Sequence, residues 1–226
     1  MRIPSQRAEL MALIEASPRL RAVHEALLAR DSDDDAAHDH AHLYRVALWT
    51  ARLLGDPKRV EEAVAAALLH DLVNVPKNHP DRARASEFSA REARPILEKA
   101  GFGGPAVEAI CTAVRQHSFS RGEVPSEPLA KSLQDADRLE GLGSIGIMRC
   151  ISTGVRMGTR YFHPEDPWAH NRPLDDSAFS LDHFFTKLLK LPDTMNTAAG
   201  REEALERIRP MTAFIASLER ELGEAR

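Results

Sequence analysis

The sequence predicts an all-α protein. Three observations carry that prediction. Ala, Leu, Glu and Arg are abundant, while β-branched runs punctuated by Gly are scarce. Apolar residues recur at steps of three and four. Strings rich in Gly, Pro and Asp end these apolar stretches at helix-length intervals.

Taken in order, a first helix is expected over residues 18–30, ended by the polar string Asp31-Ser32-Asp33-Asp34-Asp35. A second covers 39–54 and stops at Gly55-Asp56-Pro57. A third spans 59–72, and 73–80, with two prolines and two asparagines, reads as a loop. Helices follow at 86–99, 104–116 and 128–139. Gly141-Leu142-Gly143 interrupts the pattern before a helix at 144–153. Residues 154–176 hold several prolines, aromatic and basic groups, and little periodicity. A stretch of that length without regular structure is expected to be a lid or binding loop. Helical character returns at 180–191 and 200–221. No repeat or linker divides the chain. The expectation is a single compact helical domain over 1–226, with a long loop and C-terminal helices packed on the core.

The formal net charge of the 226 residues is -4, and opposite charges are interspersed. With no basic arm or face, binding to a nucleic-acid polymer has no electrostatic support. A small phosphorylated substrate fits, because a few local arginines can hold it. Cys111 and Cys150 lie far apart, form no metal or redox motif, and read as small apolar side chains in helices. The N-terminal string has no apolar signal-peptide core, and no stretch approaches the roughly 20 apolar residues of a membrane span. The expected compartment is the reducing cytoplasm.

Four polar residues stand on stripes that otherwise read as buried. His42 shares a face with Val46, Trp49 and Leu53. Val60, Val64 and Leu68 lead to Asp71, with Ala63, Ala66 and His70 along the other edge. Leu129 and Leu133 lead to Asp137. A buried imidazole or carboxylate needs something to satisfy it. Asp71 also lies near a helix C-terminus, whose negative dipole end disfavours it. Taken singly, each has an ordinary explanation: a hydrogen-bonded core histidine, a capping aspartate, a carboxylate paired with Arg138. Together they suit one divalent metal, Mn, Mg, Fe, Ni or Zn, with positions left for water and substrate.

The string His38-Asp39-His40-Ala41-His42-Leu43-Tyr44-Arg45-Val46, then Leu68-Leu69-His70-Asp71, then Gln134-Asp135-Ala136-Asp137-Arg138-Leu139 resembles the fingerprint of the HD superfamily of metal-dependent phosphohydrolases. The resemblance covers at least 37–142, an HD core, and leaves 178–223 as a C-terminal helical extension. Residues 71–77, 115–119, 141–146, 183–191 and 195–201 are similar to those of a bacterial subgroup of YedJ-like HD hydrolases. It implies His42, His70, Asp71 and Asp137 as metal ligands. The family ligand stands immediately before Arg-Leu, which selects Asp137 over Asp135. Asp135 is left as either an outer carboxylate orienting a ligand imidazole or a surface group.

The implied reaction is hydrolysis of a phosphoester in a small metabolite or nucleotide. Asp71 would also accept a proton, His117 would serve substrate or proton transfer or a second ion, and Lys77 would offset phosphoryl charge or simply be solvated. His38 and Arg45, one turn either side of His42, would line the same cleft. Arg156 and Arg160 would meet an anionic substrate or pair with nearby acids. Two other functions compete: a metal- or nucleotide-binding module without turnover, and an iron-dependent oxygenase, which needs more histidines around the cleft.

Overall fold

The computed structural model describes residues 2–30, 40–73, 75, 81–118 and 123–223. The fold is all-α, and the described residues contain one isolated β-bridge, Arg160 with Phe179, and no strand. They form two compact units, Met1–Asp137 and Arg138–Arg226.

The first unit begins with a pair of helices, α1 (Arg7–Ala16) and α2 (Pro18–Leu28). The sequence reading missed α1, which buries only Leu10 and Ile14 and has no side-chain cap. Ser17 starts α2 with Pro18 in the first turn, and its Oγ accepts the Leu20 N–H at 3.2 Å. The same hydroxyl donates to Glu61 Oε1 at 2.6 Å. Arg19 also pairs with Glu61, so a buried carboxylate joins the α1–α2 corner to α4.

Helix α3 (His40–Leu54) and α4 (Val60–Leu69) pack together, and α4 also contacts α2, α5 and α6. Ala63, Ala65, Ala66 and Ala67 are fully buried, because their small side chains let several helices approach one axis. Helix α4 stops three residues before the expected 72. His70 is its C-cap, and the freed carbonyls of the last turn become available to side chains. A 3₁₀ turn (Arg82–Arg84) leads into α5 (Ala85–Lys99), which packs on α6 (Gly104–Gln116). Then comes α7 (Pro128–Leu139), one continuous helix that carries the chain into the second unit.

In the second unit, α8 (Gly143–Met157) contacts α10 (Ala198–Leu222) and α9 (Ser180–Thr186). Helix α8 runs past its expected end at 153, so Gly154 is helical and buried rather than the start of a loop. The irregular stretch begins at Gly158, a left-handed C-cap with φ 78°. Hydrogen bonds hold that stretch. Arg160 N–H donates to Ala178 O and Ser180 N–H to Arg160 O, both at 2.9 Å. The Arg172 guanidinium grips the buried Asp182 carboxylate at 2.5 and 2.9 Å. The helix expected over 180–191 is broken at Lys187 and continues as a 3₁₀ segment, Leu188–Thr194, which contains Pro192. Phe184 of α9 stacks on Phe214 of α10, with ring centroids 5.9 Å apart.

Candidate metal centre

Four helices of the first unit deliver the polar residues. Helix α3 presents His42, the end of α4 presents His70 and Asp71, the end of α6 presents His117, and α7 presents Asp137. His70 and His117 are held by the same local device. Each is the C-cap of its helix. Each Nδ1–H donates to the carbonyl three residues back: Ala67 at 2.7 Å for His70, Val114 at 2.6 Å for His117. A carbonyl only accepts, so Nδ1 carries the proton and Nε2 is turned inward as the ligand-capable nitrogen.

The inward atoms converge without making hydrogen bonds of normal length. His70 Nε2 lies 3.4 Å from Asp71 Oδ2 and 3.8 Å from Asp137 Oδ1. His42 Nε2 lies 3.6 Å from Asp137 Oδ1 and 4.0 Å from Asp71 Oδ2. On the other side, Asp71 Oδ1 is 3.4 Å from His117 Nε2. Two overlapping groups of ligand atoms share His70: His42, His70 and Asp137 form one, and His70, Asp71 and His117 the other, with Asp71 turning Oδ2 toward His42 and His70 and Oδ1 toward His117.

These spacings fit a shared cation. Bonds of about 2.1 Å space neighbouring ligand atoms about 3.0–3.4 Å apart and opposite ones about 4.2 Å apart. Among the described residues, His70 Nε2 is buried without a hydrogen-bond partner, the kind of atom an ion would satisfy. His42 and His70 are fully buried, whereas the side chains of Asp71 and Asp137 are 30% and 32% exposed. The open side of the cluster is therefore its carboxylate side, where water and substrate can enter. Two imidazoles and two carboxylates without a thiolate suit a hydrolytic ion rather than structural zinc.

The electrostatics point the same way. Burial alone would push the His70 imidazole down, but Asp71, joined by Asp137, outweighs it and raises its pKa to about 9. Burial likewise opposes ionisation of Asp71, yet His70, His117 and His42 hold it well below the usual carboxylate range. Asp137 is held well below that range by His70 and His42, again against burial.

Of the other expected site residues, His38 and Lys77 lie outside the described residues. Arg45 sits one turn after His42 on α3 and is partly buried. Arg156, near the end of α8, and Arg160, just beyond it, belong to the second unit with exposed side chains. Asp135 is fully buried, which rules out a surface carboxylate.

Three supporting contacts were not anticipated. Gln134 Nε2 donates to Gln116 O at 2.9 Å, tying α7 to the residue before His117. Val73 N–H donates to the buried Ser89 Oγ at 3.1 Å, and Arg82 donates to Val75 O at 2.5 Å, fixing the chain that leaves Asp71. The visible sign in the sequence is a polar residue on an apolar helical face, as at Gln134 and Ser89.

An all-α scaffold that gathers His, His-Asp and Asp from separate helices around one cluster defines a metal-dependent phosphohydrolase. The comparisons agree. The family model described as "HD domain" matches residues 40–142. The uncharacterized protein YpgQ of Bacillus subtilis is 34% identical over 197 residues, spanning 84% of this chain and 87% of its own. The crystal structure of Bacillus subtilis YpgQ in complex with ADP superposes with a TM-score of 0.67 at 28% identity, covering 90% of this chain and 96% of that one. An HD-superfamily hydrolase from Bacillus thuringiensis gives 0.66 at 29% identity, covering 94% and 98%. The chain belongs to the HD superfamily. Among the described residues, no helix is long and apolar enough to cross a membrane.

Proposed function

We propose that the chain hydrolyses a phosphoester of a small metabolite, with nucleotides the favoured class. The observation that carries this is the pair of ligand groups sharing His70, which bring His42, His70, Asp71 and Asp137 to histidine-to-carboxylate spacings of 3.4–4.0 Å, with the carboxylate side open. The nucleotide preference is supported by the relative YpgQ, which was crystallised with ADP. His42, His70, Asp71 and Asp137 would hold a divalent ion, which when bound supplies Lewis acidity toward a phosphoryl oxygen and a water of lowered pKa.

The chain's own groups would supply the proton handling and the charge. Asp71 would accept the proton of the attacking water through a carboxylate oxygen. Its Oδ1 faces His117 Nε2, so His117 would take that proton on and deliver it to the leaving oxygen. The Val114 carbonyl keeps the His117 ring in the tautomer this requires. Lys77 would offset charge on the phosphoryl oxygens, and His38, Arg45, Arg156 and Arg160 would hold the anionic substrate. Cys111 and Cys150 are free thiols, in keeping with a reducing cytoplasm.

The test is a screen of the chelated full-length protein against nucleoside mono-, di- and triphosphates and a generic phosphodiester, with and without Mn or Mg. Turnover that vanishes in chelator and returns with the ion is the expected result. A nucleotide that raises the melting temperature without being consumed would replace this reading with a binding module. In the active protein, Arg160→Ala is expected to raise KM or lower kcat while metal content stays at the wild-type level. Normal kinetics would remove Arg160 from the substrate site.

A further inference from the structure

We propose that Arg207 and Arg138 are positioning residues for Asp137, acting by clamping the last turn of α7; this rests on the reading of Asp137 as a metal ligand. Asp137 stands two residues from the end of its helix. The last carbonyls of a helix have no donors within it, and terminal turns fray. A ligand there needs outside support, because a metal site tolerates displacement of only about 0.5 Å.

The support is present on both residues that follow Asp137. Arg207 of α10 donates from Nη1 to the Leu139 carbonyl at 2.8 Å. Its Nε is held by Glu203 Oε1, one helical turn earlier, at 2.7 Å. The Arg207 side chain is 17% exposed, so the bond is sheltered from competing water. A guanidinium at a helix C-terminus also meets the negative end of the dipole. The Arg138 guanidinium, in turn, donates to the Thr194 carbonyl in the 3₁₀ segment.

The surrounding sequence is shaped for this clamp. The turn after α7 closes through Gly141 N–H to Arg138 O at 3.0 Å and Leu142 N–H to Leu139 O at 3.1 Å. Gly143 has φ 69°, and a Cβ built there would lie 3.4–3.7 Å from the Arg207 stem. That spacing is ordinary van der Waals contact, so the left-handed backbone is what favours glycine beside the arginine. The turn Gly141–Gly143, which the metal cluster leaves unexplained, thereby gains a role. One helical residue turns the chain by about 100°, so a small unwinding of this turn swings the Asp137 carboxylate out of the cluster.

The experiment uses the full chain and reads Mn affinity and the visible spectrum of the Co-substituted protein, with far-ultraviolet circular dichroism as the fold control. Arg207→Ala is expected to weaken Mn binding about tenfold, the scale of an outer-shell loss, and to change the Co spectrum at unchanged helicity. Arg207→Lys keeps one donor and the charge and is expected to restore most of the affinity. Arg201→Ala, which removes an exposed pair with Asp193, is expected to match wild type. If Arg207→Ala lowers the melting temperature but leaves affinity and spectrum at wild-type values, Arg207 is merely structural and the proposal is overturned. Asp137→Ala run alongside separates the two claims. Unchanged Mn affinity there overturns the ligand assignment and the clamp with it, while a loss there with normal binding in Arg207→Ala overturns the clamp alone. Should Arg207→Ala fail to fold, Glu203→Ala removes the acceptor that holds Arg207 Nε, with an expected weakening of about tenfold; unchanged affinity in that variant overturns the proposal.

Discussion

His70 and Asp71 are adjacent in the chain, yet His70 Nε2 and Asp71 Oδ2 face one another at 3.4 Å across the same cluster. The helix ends between them and the rest of the core: His70 reaches back to Ala67 O, while Asp71 turns into the chain leaving α4. His70 itself keeps helical dihedrals, φ −66° and ψ −35°, so the two side chains leave the backbone about 100° apart and meet at one centre by their own reach.

That convergence gives the first prediction. His42→Ala, His70→Ala, Asp71→Ala and Asp137→Ala each remove most of the bound metal or most of the turnover while leaving a helical fold. Elemental analysis and circular dichroism of the purified variants check it. Near-stoichiometric metal and unchanged hydrolysis in Asp71→Ala would sink the assignment.

The two aspartates of α7 supply the second. Asp137 approaches His42 and His70, whereas the fully buried Asp135 is in neither group of ligand atoms. Asp135→Asn is expected to reduce turnover at least about tenfold less than Asp137→Asn, since an outer residue typically costs about 10–100-fold. Steady-state kinetics at saturating metal decide it, and equal or reversed effects would exchange the two roles.

A third concerns Gly146 in α8. A Cβ built there would lie 2.3 Å from the Gly141 carbonyl oxygen, a backbone atom that cannot rotate away. Gly→Ala in a helix interior ordinarily stabilises by about 1 kcal/mol. Here the clash reverses the sign, and Gly146→Ala is expected to destabilise by about 1–3 kcal/mol. Denaturant unfolding measures it; a variant as stable as wild type would show that the turn at Gly141 shifts freely.

The fourth concerns Cys150. Burial, with a smaller push from Asp176, raises its thiol to about 11. The S–H also points to the Ser180 carbonyl at 3.5 Å. A raised pKa means less thiolate, so alkylation at pH 8 should run about two orders of magnitude slower in the native protein than in denaturant, where a thiol titrates near 8.5. The native rate should climb about tenfold per pH unit until about 11. Mass-spectrometric labelling that finds equal native and denatured rates at pH 8 contradicts this placement.

The sequence by itself determined the helical class and most helix positions, because apolar periodicity and Gly, Pro and Asp punctuation are local properties. It also singled out His42, His70, Asp71 and Asp137, since a polar group on an apolar stripe is visible one helix at a time. Helix α1 escaped, as two buried residues make too short a stripe to read. The ends of α4 and α9 escaped because apolar residues, Leu72-Val73 and Leu188-Leu189, continue the pattern past local caps, His70 Nδ1–H to Ala67 O and Lys187 N–H to His183 O. Only the tertiary structure decided that Asp135 is buried, that His117 joins the cluster through the second oxygen of Asp71, and that Gly146 has no room for a side chain. Each of these is a distance between residues on different elements, and periodicity carries no information about how one element is turned toward another.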